Sequence, residues 1–64
     1  MTRGQRKLIH FAVKYPDKWH AFAHDYQTVG IVCACVNCGL IVLNDLNQFK
    51  ITQFGKEQAP FIAA

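Results

Sequence analysis

Residues Asp25 to Leu43, DYQTVGIVCACVNCGLIVL, constrain the fold more than any other stretch of the chain. A polar opening, Asp25-Tyr26-Gln27-Thr28, leads into an apolar run that Gly39 interrupts before Leu40-Ile41-Val42-Leu43. Periodicity cannot separate helix from strand in a continuous apolar run, so length decides. Thr28 to Cys38 is too long for an ordinary strand, whereas Leu40–Leu43 has the length and the branched side chains of one. Asp25 suits a helix N-cap, and Gly39 suits the left-handed position that closes a helix. The stretch therefore reads as a buried helix, a glycine stop and a strand.

At about 100° per residue, that helix has three arcs. Val29, Val32, Cys33 and Val36 form one packing face, and Ile31, Cys35 and Cys38 a second. The remaining arc carries Tyr26, Gln27, Gly30, Ala34 and Asn37, a narrow stripe of polar and small side chains. A helix lying in a DNA groove has such a stripe, as does one docked on a protein; so does the solvent side of an ordinary core helix.

The flanking segments are shorter. Thr2-x-x-Gln5 fits a capping box for a helix over Arg3–Tyr15 that Pro16 ends. Leu8, Phe11, Ala12 and Tyr15 share its inward face, and Arg6, His10 and Lys14 lie opposite. Asp17 is a good cap for a second helix, Lys18–His24, with Trp19, Phe22 and Ala23 inward. After the first strand, Asn44-Asp45-Leu46-Asn47 is rich in turn formers. Gln48–Thr52 alternates with Phe49 and Ile51 inward, which predicts a β-hairpin. Thr52-x-x-Gly55 opens a last helical turn over Gln53–Gln58, closed by Pro60.

Sixty-four residues form one domain, 1–64, and bury a modest core. The net charge of +3 suits nucleic acid without requiring it. The basic N-terminus is followed by an apolar run broken by His10 and Lys14, so neither a secretory signal nor a membrane span is expected. Three cysteines crowded into one segment do not describe a disulfide framework; free thiols in a reducing cytosol are expected.

The order of helix, helix-turn-helix, strand, turn, strand and short helix resembles the winged helix-turn-helix family. Two patterns carry the resemblance: Asn37-Cys38-Gly39-Leu40-Ile41, where the long helix breaks at glycine into a strand, and Phe49-Lys50-Ile51-Thr52-x-x-Gly55, a strand running into a threonine-capped segment. It covers nearly the whole chain, whose small size is similar to compact members encoded by phages and plasmids. The fold it implies is α+β, mostly α: three helices, a two-stranded wing and a short C-terminal helical turn. It implies that the third helix enters the major groove. Tyr26, Gln27, Gly30, Ala34 and Asn37 are then groove contacts, and Lys18, His20, Asn47 and Lys50 backbone contacts. Arg3, Arg6 and Lys7 add phosphate contacts. The expected partner is double-stranded DNA and the role transcriptional, in a host cytoplasm. The third helix has no Lys or Arg, however, and Asp25 and Asp45 sit at its start and at the wing tip. The alternative partner is a host protein, bound through the same surfaces as in some members of the family. Phe54, Phe61 and Ile62 come late in a small chain and are candidates for a homodimer contact.

Other motifs point less far. Cys33-x-Cys35-x-x-Cys38 with His20 and His24 supplies zinc-type ligands, of which His20, His24, Cys35 and Cys38 are the candidate set. On a helix the cysteines diverge, so small core hydrophobes are the expectation, with no metal or cofactor. The chain has no serine, no phosphate loop and only four acids, so no enzymatic role is expected. Trp19, Phe22, Phe11, Phe49 and Phe54 invite comparison with a stacking platform for single strands, but the spacing of the first three fits core packing.

Overall fold

A computed structural model describes residues 1–62. It is a small α+β arrangement, mostly helical, with three α-helices and one antiparallel hairpin. Helix α1 spans Arg3–Lys14 and opens with the expected capping box. The Gln5 amide donates to Thr2 Oγ1 at 3.2 Å, and the Thr2 amide to Gln5 Oε1 at 3.1 Å. It ends at Tyr15, ahead of Pro16. Its buried line is Ile9 and Ala12, with Leu8 and Val13 partly covered. Phe11 and Tyr15 remain 45% and 41% exposed, so the helix is rotated from the expected inward face.

The expected helix over Lys18–His24 does not form. His20 instead pairs with Phe49 through two backbone hydrogen bonds, of 2.8 and 2.9 Å. Burial from Trp19 to Ala23 alternates residue by residue, with His20 and Phe22 turned in. Trp19 and Ala23, expected inward, are exposed. The physical reason is that a lone hairpin is marginal, and a third rung satisfies the open edge of its second strand. That gain overrides a weak helix preference in a segment rich in aromatic residues.

Helix α2 spans Tyr26–Asn37. Asp25 caps it, accepting from the Thr28 amide at 2.8 Å and from the Thr28 hydroxyl at 3.0 Å. These two bonds hold the Asp25 carboxyl below its ordinary range. At the other end Gly39 has φ of +76°. The Leu40 amide reaches back to the Cys35 carbonyl and the Gly39 amide to that of Val36, a Schellman closure. The turn delivers Leu40 directly into the core.

Strands β1, Ile41–Leu43, and β2, Phe49–Ile51, pair with Ile41 opposite Ile51 and Leu43 opposite Phe49. Their turn is organised by Asn44, whose Oδ1 accepts from the amides of Leu46 and Gln48, both at 2.9 Å. Asn47 takes the left-handed conformation, with φ of 57°, which Asn tolerates better than most residues. Helix α3, Gln53–Gln58, is capped by Thr52, and a 3-10 turn over Ala59–Phe61 follows at Pro60. The Thr52 hydroxyl also lies 2.6 Å from the Gly39 carbonyl, tying α3 to the corner between α2 and β1.

The core joins every layer: Ile9 and Ala12 from α1, Val32 and Cys35 from α2, Leu40, Ile41, Phe49 and Ile51 from the hairpin and its approach. No buried polar or charged residue occurs among the described residues.

Candidate nucleic-acid interface

The stripe on α2 faces outward. Tyr26 is 96% exposed, Gln27, Gly30 and Asn37 are exposed, and Ala34 is partly covered. A Cβ placed on Gly30 would meet nothing within 4 Å. The fold therefore gives no internal reason for glycine at mid-helix, where it costs about 1 kcal/mol relative to alanine. Gly30→Ala is expected to raise stability by about that amount, read as a higher urea midpoint with an unchanged slope.

Beside this stripe an apolar groove of about 210 Å³ runs between α2, the approach strand and the hairpin. Phe22, His24, Val29, Val32, Cys33, Leu43 and Asn47 line it. The hairpin turn thus stands next to α2, with Asn47 on the groove and Leu46, 77% exposed, at the tip. The other sequence candidates lie elsewhere. Lys50 projects from the outer face of β2, its Nζ 4.7 Å from the centre of the Trp19 ring. Lys18 is exposed in the turn after Tyr15. His20 is half-buried, its Nε2 3.3 Å from the Tyr15 carbonyl and its ring against Phe11 and Phe49.

Cationic charge gathers on α1. Arg3, Arg6, Lys7 and His10 line an open cleft of about 490 Å³, and Lys14 continues the same side of the helix. His10 Nε2 donates to the Ile62 carbonyl at 2.6 Å, which fixes Ile62 beside this face. One ion pair occurs among the described residues, Lys56 with Asp17 at 3.6 Å. Of the dimer candidates, Phe54 and Phe61 are 49% and 79% exposed, while Ile62 is partly buried against the core.

The cysteines divide. Only Cys35 is a core residue; Cys33 and Cys38 are exposed, which corrects the expectation that all three are buried hydrophobes. His20 and His24 are not one helical turn apart, because their segment is extended, and the His24 ring stacks on Phe22. Among the described residues no three His, Cys, Asp or Glu side chains converge as metal ligands.

Burial pushes the Cys35 thiol up from 9.0 to about 11, and the neighbouring Cys38 adds to the shift. Well below pH 9 the thiol is protonated in both the folded and the unfolded chain. Between about 9 and 11 the unfolded chain ionises first, so stability falls as pH rises through that window. Urea midpoints measured below pH 9 and near pH 11 should show the loss, and Cys35→Ala should remove that component. In the native protein a thiol reagent should label Cys33 and Cys38 and spare Cys35.

Sequence reasoning missed the exposed ring pair of Phe11 and Tyr15. The signal was the position of Phe11 next to Lys7 and Lys14 around the helix. Among the described residues no helix is long and apolar enough to cross a membrane. Set against known proteins, the chain matches no family, no curated protein and no solved structure.

Proposed function

We propose that this chain is a non-enzymatic, winged-helix-like regulator that binds double-stranded DNA, with α2 as the groove helix and the hairpin as its wing. The observation that carries the reading is the outward stripe of α2. It keeps a destabilising Gly30 with open space above it, between the side-chain amides of Gln27 and Asn37. Such a surface lets a partner approach the helix backbone closely, and each amide can pair bidentately with adenine in the major groove. The layout agrees: the chain before α2 pairs with β2, and β2 with β1, so groove helix and wing spring from one small sheet. Phosphate contacts come from Lys18, Asn47 and Lys50, and dimerisation through Phe54 and Phe61 presents two α2 helices to a palindromic site. The exposed thiols of Cys33 and Cys38 suit a reducing cytosol.

The test is selection from a random duplex pool at two salt concentrations. An enriched motif with salt-dependent affinity is the expected outcome. Gln27→Ala and Asn37→Ala should each relax specificity at one position by about 1 to 3 kcal/mol and leave the melting temperature unchanged. Absence of any enriched motif removes the reading.

A second reading is a protein partner docked on the same stripe. It is favoured by the lack of any Lys or Arg on α2 and by Leu46 standing out at the wing tip. It requires a complex that forms without nucleic acid and is weakened by Tyr26→Ala or Leu46→Asp.

A further inference from the structure

Helix α1 has a second unpartnered side, and its chemistry differs from that of α2. Around the helix, Arg6, His10, Arg3, Lys14 and Lys7 fall in succession, and Phe11 and Tyr15 adjoin the Lys7 edge. No acidic residue occurs in this helix. Arg3, Arg6, Lys7 and His10 line the open cleft described above, and the rings adjoin its Lys7 edge.

Those rings form a ledge and are not packed away. Phe11 lies 5.4 Å from Tyr15 and 4.7 Å from His20, and Tyr15 lies 6.0 Å from His20, centre to centre. Lys14 Nζ sits 5.8 Å from the centre of the Tyr15 ring. Trp19, which precedes His20, points to the other side of the extended segment, 40% exposed beneath Lys50, and is not part of the ledge. Aromatic rings left half in water beside a row of cations match the two parts of a polynucleotide: flat bases and regularly spaced phosphates.

We infer that the outer face of α1, together with the Phe11–Tyr15–His20 ledge, is a binding surface for a single-stranded polynucleotide. Bases stack on Tyr15 and Phe11, and Arg3, Lys7 and Lys14 track the phosphates. The strand must be single, because in a duplex the base faces are already covered by their neighbours and only the phosphates are offered. His10, turned to the Ile62 carbonyl, holds Ile62 beside the cleft and contributes no stacking. The inference does not depend on the duplex reading, which uses α2.

The test titrates the full-length protein with thymidylate and uridylate oligomers of about twelve nucleotides, and with a duplex of equal length, at low and moderate salt. A fluorophore on the oligomer reports binding by anisotropy. The expected result is salt-sensitive binding of one or both single strands, and their ratio identifies DNA or RNA as the source. Tyr15→Ala should weaken binding by about tenfold or more, while Tyr15→Phe, which keeps the ring, stays within about twofold. Lys7→Gln and Lys14→Gln, both on exposed positions, should lower the salt dependence. Gln27→Ala should leave single-strand affinity unchanged, which separates this surface from the one on α2.

Absence of single-strand binding by the native protein at low salt overturns the proposal. Equal affinity for duplex and single strand with no effect of Tyr15→Ala also overturns it, because charge alone then explains the binding. Should Tyr15→Ala melt early, the native protein's preference for single strand over duplex and the two lysine variants still decide.

Discussion

Gly55→Ala is expected to leave most of the chain unfolded at 25 °C. Gly55 is buried on α3 at the point where that helix crosses the corner between α2 and β1. A Cβ there would overlap the Leu40 carbonyl oxygen and lie 2.8 Å from Ile51 Cδ1. The carbonyl cannot retreat, because it accepts the Thr52 amide at 3.0 Å and belongs to the turn that Gly39 closes. Ile51 is itself buried. Relief requires α3 to lift away, which breaks the Thr52 cap and uncovers the hairpin. Overpacking of this kind, against backbone, costs about 3 kcal/mol or more. A chain of this size has roughly 3 to 10 kcal/mol in total. A circular-dichroism melt is the measurement, and a melting temperature within about 5 °C of the native protein would refute the account. The same substitution at Gly30 has the opposite sign. Both glycines are helical; only the space above them differs.

Phe49→Ala should cost about 3 to 5 kcal/mol, enough to abolish a cooperative transition in so small a domain. Phe49 is 2% exposed and central to the core. Its ring packs near those of Phe11, His20 and Phe22, and its backbone holds both hydrogen bonds to His20. Removing the ring therefore empties the centre and loosens the approach strand together. Amide exchange at His20 in the milder Phe49→Leu variant provides the finer reading: it should accelerate well before α2 amides do, because the third rung is the shortest element. If His20 and α2 exchange in step, the rung is not a separate unit.

Much of this architecture was legible in the sequence because it depends on local chemistry. The capping boxes and N-caps at Thr2, Asp25 and Thr52 are each a short polar side chain satisfying a free amide three residues on. Gly39 and Asn44 mark turns for equally local reasons. The stripe of Tyr26, Gln27, Gly30 and Asn37 was readable too, since the apolar residues around it leave a single outward arc. The segment from Lys18 to His24 was not readable in this way. Asp17 as a cap and Trp19, Phe22 and Ala23 at helical spacing argue for a helix, while the same residues alternate as a strand. What decides is the open edge of β2, nearly thirty residues later in the chain, and no local signal encodes that edge.

The exposed rings of α1 follow the same logic. Helical spacing placed them inward, but packing turns Ile9 and Ala12 to the core and leaves Phe11 and Tyr15 at the surface. Likewise the cysteines, equivalent by composition, are separated by packing alone, which buries Cys35 and leaves its two neighbours in water. By itself the sequence determined where helices start, where they stop and which arc of α2 faces out, because those follow from hydrogen bonds and hydrophobic pattern within a few residues. The tertiary structure alone decided that the segment before α2 pairs with β2 at His20, that Gly55 must be glycine, and that a ledge of aromatic rings stands beside the cations of α1. Each of these is set by contact between segments distant in the chain, where packing and backbone pairing outweigh local preference.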